Sequence, residues 1–160
     1  MISSAQKSVL ALVAATFLIL PTVADARGTS SMSSSETSLL REMNRVRASQ
    51  GLRTLRFDAR LELAARSHSR DMIAHNYFAH GAFGSRMQSF HVSGSFAGEN
   101  LAWGVGERST PRAIVSAWLA SPEHRANLLR PGFRRVGVAA LVGSFSGYPG
   151  ATVSTADFAG

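Results

Sequence analysis

The stretch SPEHRANLLRPGFRRVGVAALV, residues 121–142, changes its periodicity halfway and so decides the fold class. Ser121-Pro122 is a helix start, because proline at the first helical position forfeits no hydrogen bond. A short helix should follow, with His124 in its first turn, Leu128-Leu129 on its buried side and Pro131-Gly132 closing it. From Arg135 the period shifts to two, placing Val136, Val138, Ala140 and Val142 on one face, as in a half-buried strand.

The same signals recur on either side. Residues 152–158 are a second β-branched run, separated from the first by the Gly-rich residues 143–150, so the two read as an antiparallel pair. Upstream, Ser109-Thr110-Pro111 repeats the helix start, with Ile114, Ala117 and Trp118 as an inner face, and Asn100-Leu101-Ala102-Trp103 reads as a short strand. Between Gly81 and Gly98 the chain is rich in Gly, Ser and Phe, with one helical turn expected around residues 85–89. Earlier still, Ser34 or Ser35 can cap a helix with Glu36 in its first turn and Leu39, Leu40, Met43 and Val46 as its apolar stripe, stopped by Gly51. Asp58 begins a second helix in which Leu61, Ala65, His68 and Met72 share one face, ending near His75-Asn76. Helices early, strands late and a helix pair between them predict an α+β domain, a sheet sandwiched between helices.

The first residues carry Lys7, an uncharged apolar run from Val9 to Leu20, Pro21 and the small-residue sequence Ala24-Asp25-Ala26. That is the layout of a secretory signal peptide, cleaved after Ala26, and the run of about a dozen apolar residues is short of the roughly 20 that span a bilayer. Residues 27–36 are read as a flexible lead-in and 37–160 as one domain, large enough to enclose a core without disulfide or metal staples. The chain has no cysteine, which excludes both a disulfide framework and a lipid-bearing cysteine. A secreted or periplasmic protein without a stable membrane span after signal removal is expected.

Beyond Lys7 every Lys/Arg cation is arginine, and the formal net charge of the chain is +7. Arginine pairs readily with carboxylate and phosphate, so an anionic envelope surface would attract the chain, although scattered arginines on helix surfaces also serve solubility alone. No arginine cluster interleaved with aromatics marks a nucleic-acid groove, and no nucleic-acid partner is expected.

Three runs concentrate the chemistry: Phe78-Ala79-His80, Gly98-Glu99-Asn100-Leu101 and the segment around His124. If His80, Glu99 and His124 meet in space they form one polar cleft. Imidazole suits zinc, and two histidines with a carboxylate would make a site with an open position, His80 and His124 being the metal ligands and Zn2+ or another divalent cation the cofactor. The residues equally support a metal-free network in which Glu99 orients the histidines by hydrogen bonds, since a buried carboxylate needs partners either way. No serine lies in a Gly-x-Ser-x-Gly elbow and no thiolate is available, so no catalytic residue is identified. His68 reads as a hydrogen-bonded core histidine and Trp103 and Trp118 as core. Phe78, Phe83, Phe90 and Phe96 would either line an apolar ligand channel or simply pin their loop.

These elements, in order, resemble the CAP superfamily (cysteine-rich secretory proteins, antigen 5, pathogenesis-related 1; the SCP domain), in its cysteine-free bacterial form. The similarity rests on Asn44-Arg45 before Gly51-Leu52, on Ala64, His68, Asp71-Met72 and Phe78-Ala79-His80, on Gly98-Glu99-Asn100-Leu101-Ala102, and on Ala117-Trp118, Ser121-Pro122, His124-Arg125, Asn127-Leu128-Leu129 and Gly137-Val138. The resemblance implies a three-layer α-β-α sandwich with a cleft of two histidines and two acids, binding a divalent metal in some members and lipids or sterols in others. Carried over by position, His80 is the first histidine and Glu99 the first acid. The late strand has no histidine where the family places its second, so His124 is the substitute, and Glu107, Glu123 and Asp157 are left as candidates for the second acid. A secreted binding module for a lipid, sterol or envelope ligand is the leading expectation, with a metal-dependent hydrolase of an envelope or extracellular substrate as the alternative. The oligomeric state is not legible.

Overall fold

The structure, a computed structural model, describes residues 32–160. The expected signal peptide lies outside the described residues, as does the first half of the lead-in, residues 27–31. The first helix, α1, runs Ser34–Ser49, so residues 34–36 of the expected lead-in are helical. Its cap is Ser33 rather than Ser34 or Ser35: the Ser33 side chain accepts from Glu36 N while the Glu36 carboxylate accepts from Ser33 N, satisfying two donors that the helix start would otherwise orphan. The two-residue strand β1, Arg56–Phe57, leads into α2, Ala59–His75, whose N-cap Asp58 accepts from Arg60 N and Leu61 N. Asn76, in the left-handed conformation, ends α2.

The rest follows the sequence pattern with longer strands. Helix α3 (Phe83–Ser89) precedes β2 (Ala97–Gly104), a short 3-10 turn (Gly106–Ser109), α4 (Pro111–Ala120), α5 (Pro122–Leu128), β3 (Arg135–Phe145) and β4 (Tyr148–Ala159). Much of the Gly-rich segment between the last two strands is itself strand: β3 continues to Phe145, β4 starts at Tyr148, and an irregularity between Gly143 and Phe145 absorbs the mismatch. The sheet order is β1-β3-β4-β2, with β4 antiparallel to both neighbours and β1 parallel to β3. β2 is therefore an edge strand.

Alternation along β3 and β4 separates two helical layers. Val136, Val138, Ala156 and Phe158 pack with Leu39, Met43 and Val46 of α1, Ile114, Val115 and Trp118 of α4 and Leu128 of α5. The positions between them face α2 and α3: Val153 packs with Met72, and Ala159 with Leu61, Ala64 and Met87. The three-layer sandwich is thus the observed architecture. Burying a large apolar side chain contributes about 2–3 kcal/mol, and Trp118 adds a hydrogen bond from Nε1 to Leu101 O of 2.9 Å, so the α4 layer is both dry and anchored to β2. Two expected inner positions differ: Ala117 is exposed and Val142 is 70 % exposed, because β3 outruns the helices that cover it.

Two close approaches fix the layers. A Cβ on Gly137 would lie 1.9 Å from Glu62 N and 2.0 Å from Leu61 C, so α2 sits directly on the β3 backbone at a site only glycine permits. At the edge of β3, Glu36 of α1 and Glu62 of α2, both fully buried, share Arg66, and Glu36 also accepts from Ala140 N. That network ties the two helical layers together.

Candidate functional site

His80 follows α2 on the loop set by Asn76, and its Nδ1 lies 2.7 Å from Glu99 Oε1 on β2. Because a carboxylate only accepts, Nδ1–H donates, and Nε2 is the ring nitrogen not committed to Glu99. The second Glu99 oxygen is engaged by the Arg86 guanidinium of α3, which also donates to His80 O at 3.3 Å. His68, the expected core histidine, is 3 % exposed and donates from Nε2 to Ala79 O at 2.9 Å, holding the residue next to His80. Its Nε2 stands 3.8 Å from Glu99 Oε2; burial lowers its pKa, opposed by the Glu99 charge. Glu99 is thus a buried anion between an imidazole and a guanidinium, and His80, an exposed residue, is the group it presents to solvent.

Helix α5 supplies the opposite wall. Asn100 donates to His124 O at 2.8 Å, and Asn127 donates to Glu99 O at 3.0 Å and Asn100 Oδ1 at 3.1 Å, so two asparagines clamp the helix to the edge strand. Gly98 makes the approach feasible, since a Cβ there would lie 2.9 Å from both Asn127 Oδ1 and the Phe133 ring. The His124 ring faces that of His80 with centroids 6.5 Å apart. Burial, and then the nearby His80, lower its pKa, while Glu123 opposes them, so His124 leans towards the neutral form. Between the rings lies a cleft of about 350 Å³, with Phe83, Ala97 and Gly98 on its walls and Glu99, Glu123 and Asn127 at its polar side.

The three acids left open by the sequence separate cleanly. Glu107 is exposed on the 3-10 turn, Glu123 lines the cleft mouth, and Asp157 lies behind Glu99, its register partner on β4. Asp157 is fully buried, and neither of its oxygens meets a hydrogen-bond donor. Burial first, then the charge of Glu99, push its carboxyl well above the usual range, although Arg86 pulls the other way. Two facing carboxyls in a buried layer cannot both be ionised cheaply, which favours the protonated form of Asp157. In the sequence Asp157 stood only as one of three candidates for the second acid; its pairing with Glu99 is long-range and had no local signal.

Of the four loop phenylalanines only Phe83 reaches the cleft. Phe78 packs edge-on against Phe145, Phe90 joins the α2/α3 cluster and Phe96 packs on Phe133, so they pin separate parts of the fold. Trp118 is core as expected, whereas Trp103 is half-buried against Phe145 and Tyr148. Among the described residues no group of three or more His, Asp or Glu side chains is arranged to hold a metal ion. The reason is local: both Glu99 oxygens already have partners, one of them cationic, so what faces the cleft is a pair of imidazoles with the carboxylate behind one of them. Such a carboxylate–histidine pair is the usual outer-shell support of a metal-bound histidine and also the usual support of a histidine base.

Comparison with known proteins agrees with this architecture. The family model described as the cysteine-rich secretory protein family, CAP, matches residues 40–158. The uncharacterized protein YkwD of Bacillus subtilis (strain 168) is 41 % identical over 114 residues, which are 68 % of this chain and 43 % of that protein. The crystal structure of an extracellular protein containing an SCP domain from Bacillus anthracis is 31 % identical with a TM-score of 0.65, covering 78 % of this chain and 40 % of that one. An outer surface protein of Borrelia burgdorferi shares the fold at 23 % identity and a TM-score of 0.65, covering 76 % of this chain and 89 % of that one. The chain therefore spans less than half the length of the two Bacillus proteins. Among the described residues no helix is long and apolar enough to cross a membrane.

Proposed function

This chain belongs to the cysteine-rich secretory protein (CAP) family, and from that premise we propose that it is a binding module working outside the cytoplasm, at the envelope or beyond it. The ligand sits in the cleft at the β2 edge, between His80 and His124. The observation that carries the reading is the 2.7 Å contact of Glu99 with Nδ1 of His80, which holds that ring with its centroid 6.5 Å from the ring of His124. Extracellular and outer-surface descriptions of the Bacillus anthracis and Borrelia proteins support the location.

A divalent cation such as Zn2+ would be held by His80 and His124, with Glu99 behind His80 and the remaining positions left to solvent or ligand. When bound, it would supply Lewis acidity. An apolar ligand is the other candidate occupant, and Phe83 is the aromatic surface that would receive it. The second reading, a metal-dependent hydrolase of an envelope or extracellular substrate, is favoured by the same His80–Glu99 pair, which is also fit to move a proton.

Calorimetric titration of Zn2+ into metal-stripped residues 27–160, beside His80→Ala and His124→Ala, tests the reading. A one-to-one heat lost in both variants would establish that the histidines act together and would justify screening for hydrolysis. No heat, or heat that both variants keep, would remove the metal and leave lipid, sterol and envelope ligands as the candidates for the cleft.

A further inference from the structure

Five acids among the described residues are paired with arginine. Glu42 pairs with Arg45, Glu36 and Glu62 with Arg66, Glu99 with Arg86 and Asp58 with Arg135. Arg53, Arg56 and Arg134 take no part in these pairs, yet together with Thr54 they line one solvent-facing depression of about 420 Å³. Among the described residues no carboxylate lines it.

A further cation, Arg47, is held against one of the lining residues, Arg53. Arg47 is fully buried and donates to Arg53 O at 2.9 Å, Leu128 O at 2.8 Å, Arg130 O at 3.1 Å and Phe133 O at 3.2 Å. Carbonyl dipoles, rather than a carboxylate, solvate that guanidinium. Burial, and then the charge of Arg134, depress its proton affinity, which marks the two guanidinia as near neighbours. The rim is held in place as well: Arg56 N donates to Arg134 O at 2.9 Å, Arg134 N to Ala159 O at 3.0 Å, and Asn44 brackets Leu55 through both its N–H and its C=O. The Arg134 side chain is itself anchored on Pro131 O.

We propose that this arginine pocket is a second ligand site, one that binds a phosphate-type oxyanion. Three guanidinium groups offer paired N–H donors that match tetrahedral oxyanions two at a time, and the Thr54 hydroxyl adds a neutral donor. The buried charge of Arg47 beside Arg53 raises the potential without competing for the ligand's oxygens, which a carbonyl-saturated guanidinium is suited to do. The site is independent of the His80–His124 cleft: Glu123, His124 and Asn127 of α5 face that cleft, whereas the arginines come from the segments following α1 and α5.

The test is thermal unfolding of the protein against inorganic phosphate, with chloride at matched ionic strength as reference, alongside co-sedimentation with phosphatidylglycerol vesicles and with neutral phosphatidylcholine vesicles. The comparison proteins are the triple variant Arg53→Gln, Arg56→Gln, Arg134→Gln and, as a charge control elsewhere, Arg70→Gln. All the substituted residues are exposed, so unfolding in chloride should match the parent and would reveal any loss of fold. The expected result is a saturable phosphate-dependent rise in melting temperature, retained by Arg70→Gln and weakened at least about tenfold in the triple variant. Loss of vesicle binding in the same triple variant would identify a lipid phosphate as the source, and loss of the phosphate response alone a soluble one. A response to neither probe, or one that the triple variant keeps, overturns the proposal.

Discussion

The two faces of one sheet divide the work of this molecule. On the face covered by α1, α4 and α5, β3 and β4 present Val136, Val138, Ala156 and Phe158 to a continuous apolar cluster. On the other face the same strands present Gly137, Thr155 and Asp157, and α2 answers with His68, Ser69 and Glu62, all buried. The first face contributes stability through burial that has no directional requirement. The second is built from groups that must each find a partner, and it ends at the edge strand with Glu99 and His80. Chemistry is placed where polar burial meets a sheet edge, and the dry face holds that edge still.

The sharpest way to break this contrast is at the seam between the faces. Gly137→Ala would drive a methyl group into the α2 backbone, costing about 3 kcal/mol or more, and cooperative melting by circular dichroism should be lost. A variant that melts like the parent would mean that α2 is not seated on β3. Truncating the dry face with Phe158→Ala should cost about 3–5 kcal/mol in urea unfolding. It should leave the histidine resonances of the cleft in place at low denaturant.

The polar face should respond in the opposite sense. Glu99→Gln leaves the Arg86 guanidinium without its anion, at a cost of about 2–3 kcal/mol, less than Phe158→Ala. Its larger effect should be on His80: nitrogen-detected NMR should show a single Nδ1–H tautomer in the parent and a mixture in the variant. A parent that already shows a mixture would dissolve the His80–Glu99 pair.

Asp157→Asn is the smallest expected change below the usual aspartate value of 3.8, within about 1 kcal/mol, because amide and protonated carboxyl are close in shape. Its signature is the pH profile. A carboxyl raised in the folded state holds its proton more tightly there than in the unfolded chain, so its contribution is complete below the usual aspartate value of 3.8 and declines as pH rises towards the folded value. Melting temperatures of the parent should therefore lose ground with rising pH relative to the asparagine variant. Parallel profiles would mean that Asp157 binds its proton alike in the folded and the unfolded chain.

What the sequence made legible does not follow that division. Apolar periodicity was legible on both faces: Leu39, Met43 and Val46 as well as Leu61, Ala65, His68 and Met72 at helical spacing, Val136 and Val138 at strand spacing, and both proline helix starts all fold as the pattern requires. The site was legible as a resemblance and as residue types, but its wiring was not. That Glu99 would turn to His80 and Arg86, and that Asp157 would stand behind it, depends on the β2–β4 register, which a linear reading does not contain. Arg47 was equally silent, because a buried arginine on carbonyls and an exposed one on a helix look alike in sequence. β1 was missed since two residues carry no period.

The sheet order has a consequence in time as well as in space. β4 lies between β3 and β2, and it is the last of the described elements to be made. Until it emerges, β2 and β3 have no strand between them, and neither helical layer has a complete surface to settle on. β3 and β4 form a local hairpin, but pairing β2 with β4 and β1 with β3 closes long loops, which slows folding relative to a domain built from neighbours alone. The sheet is therefore completed only when the 12 residues of β4 arrive.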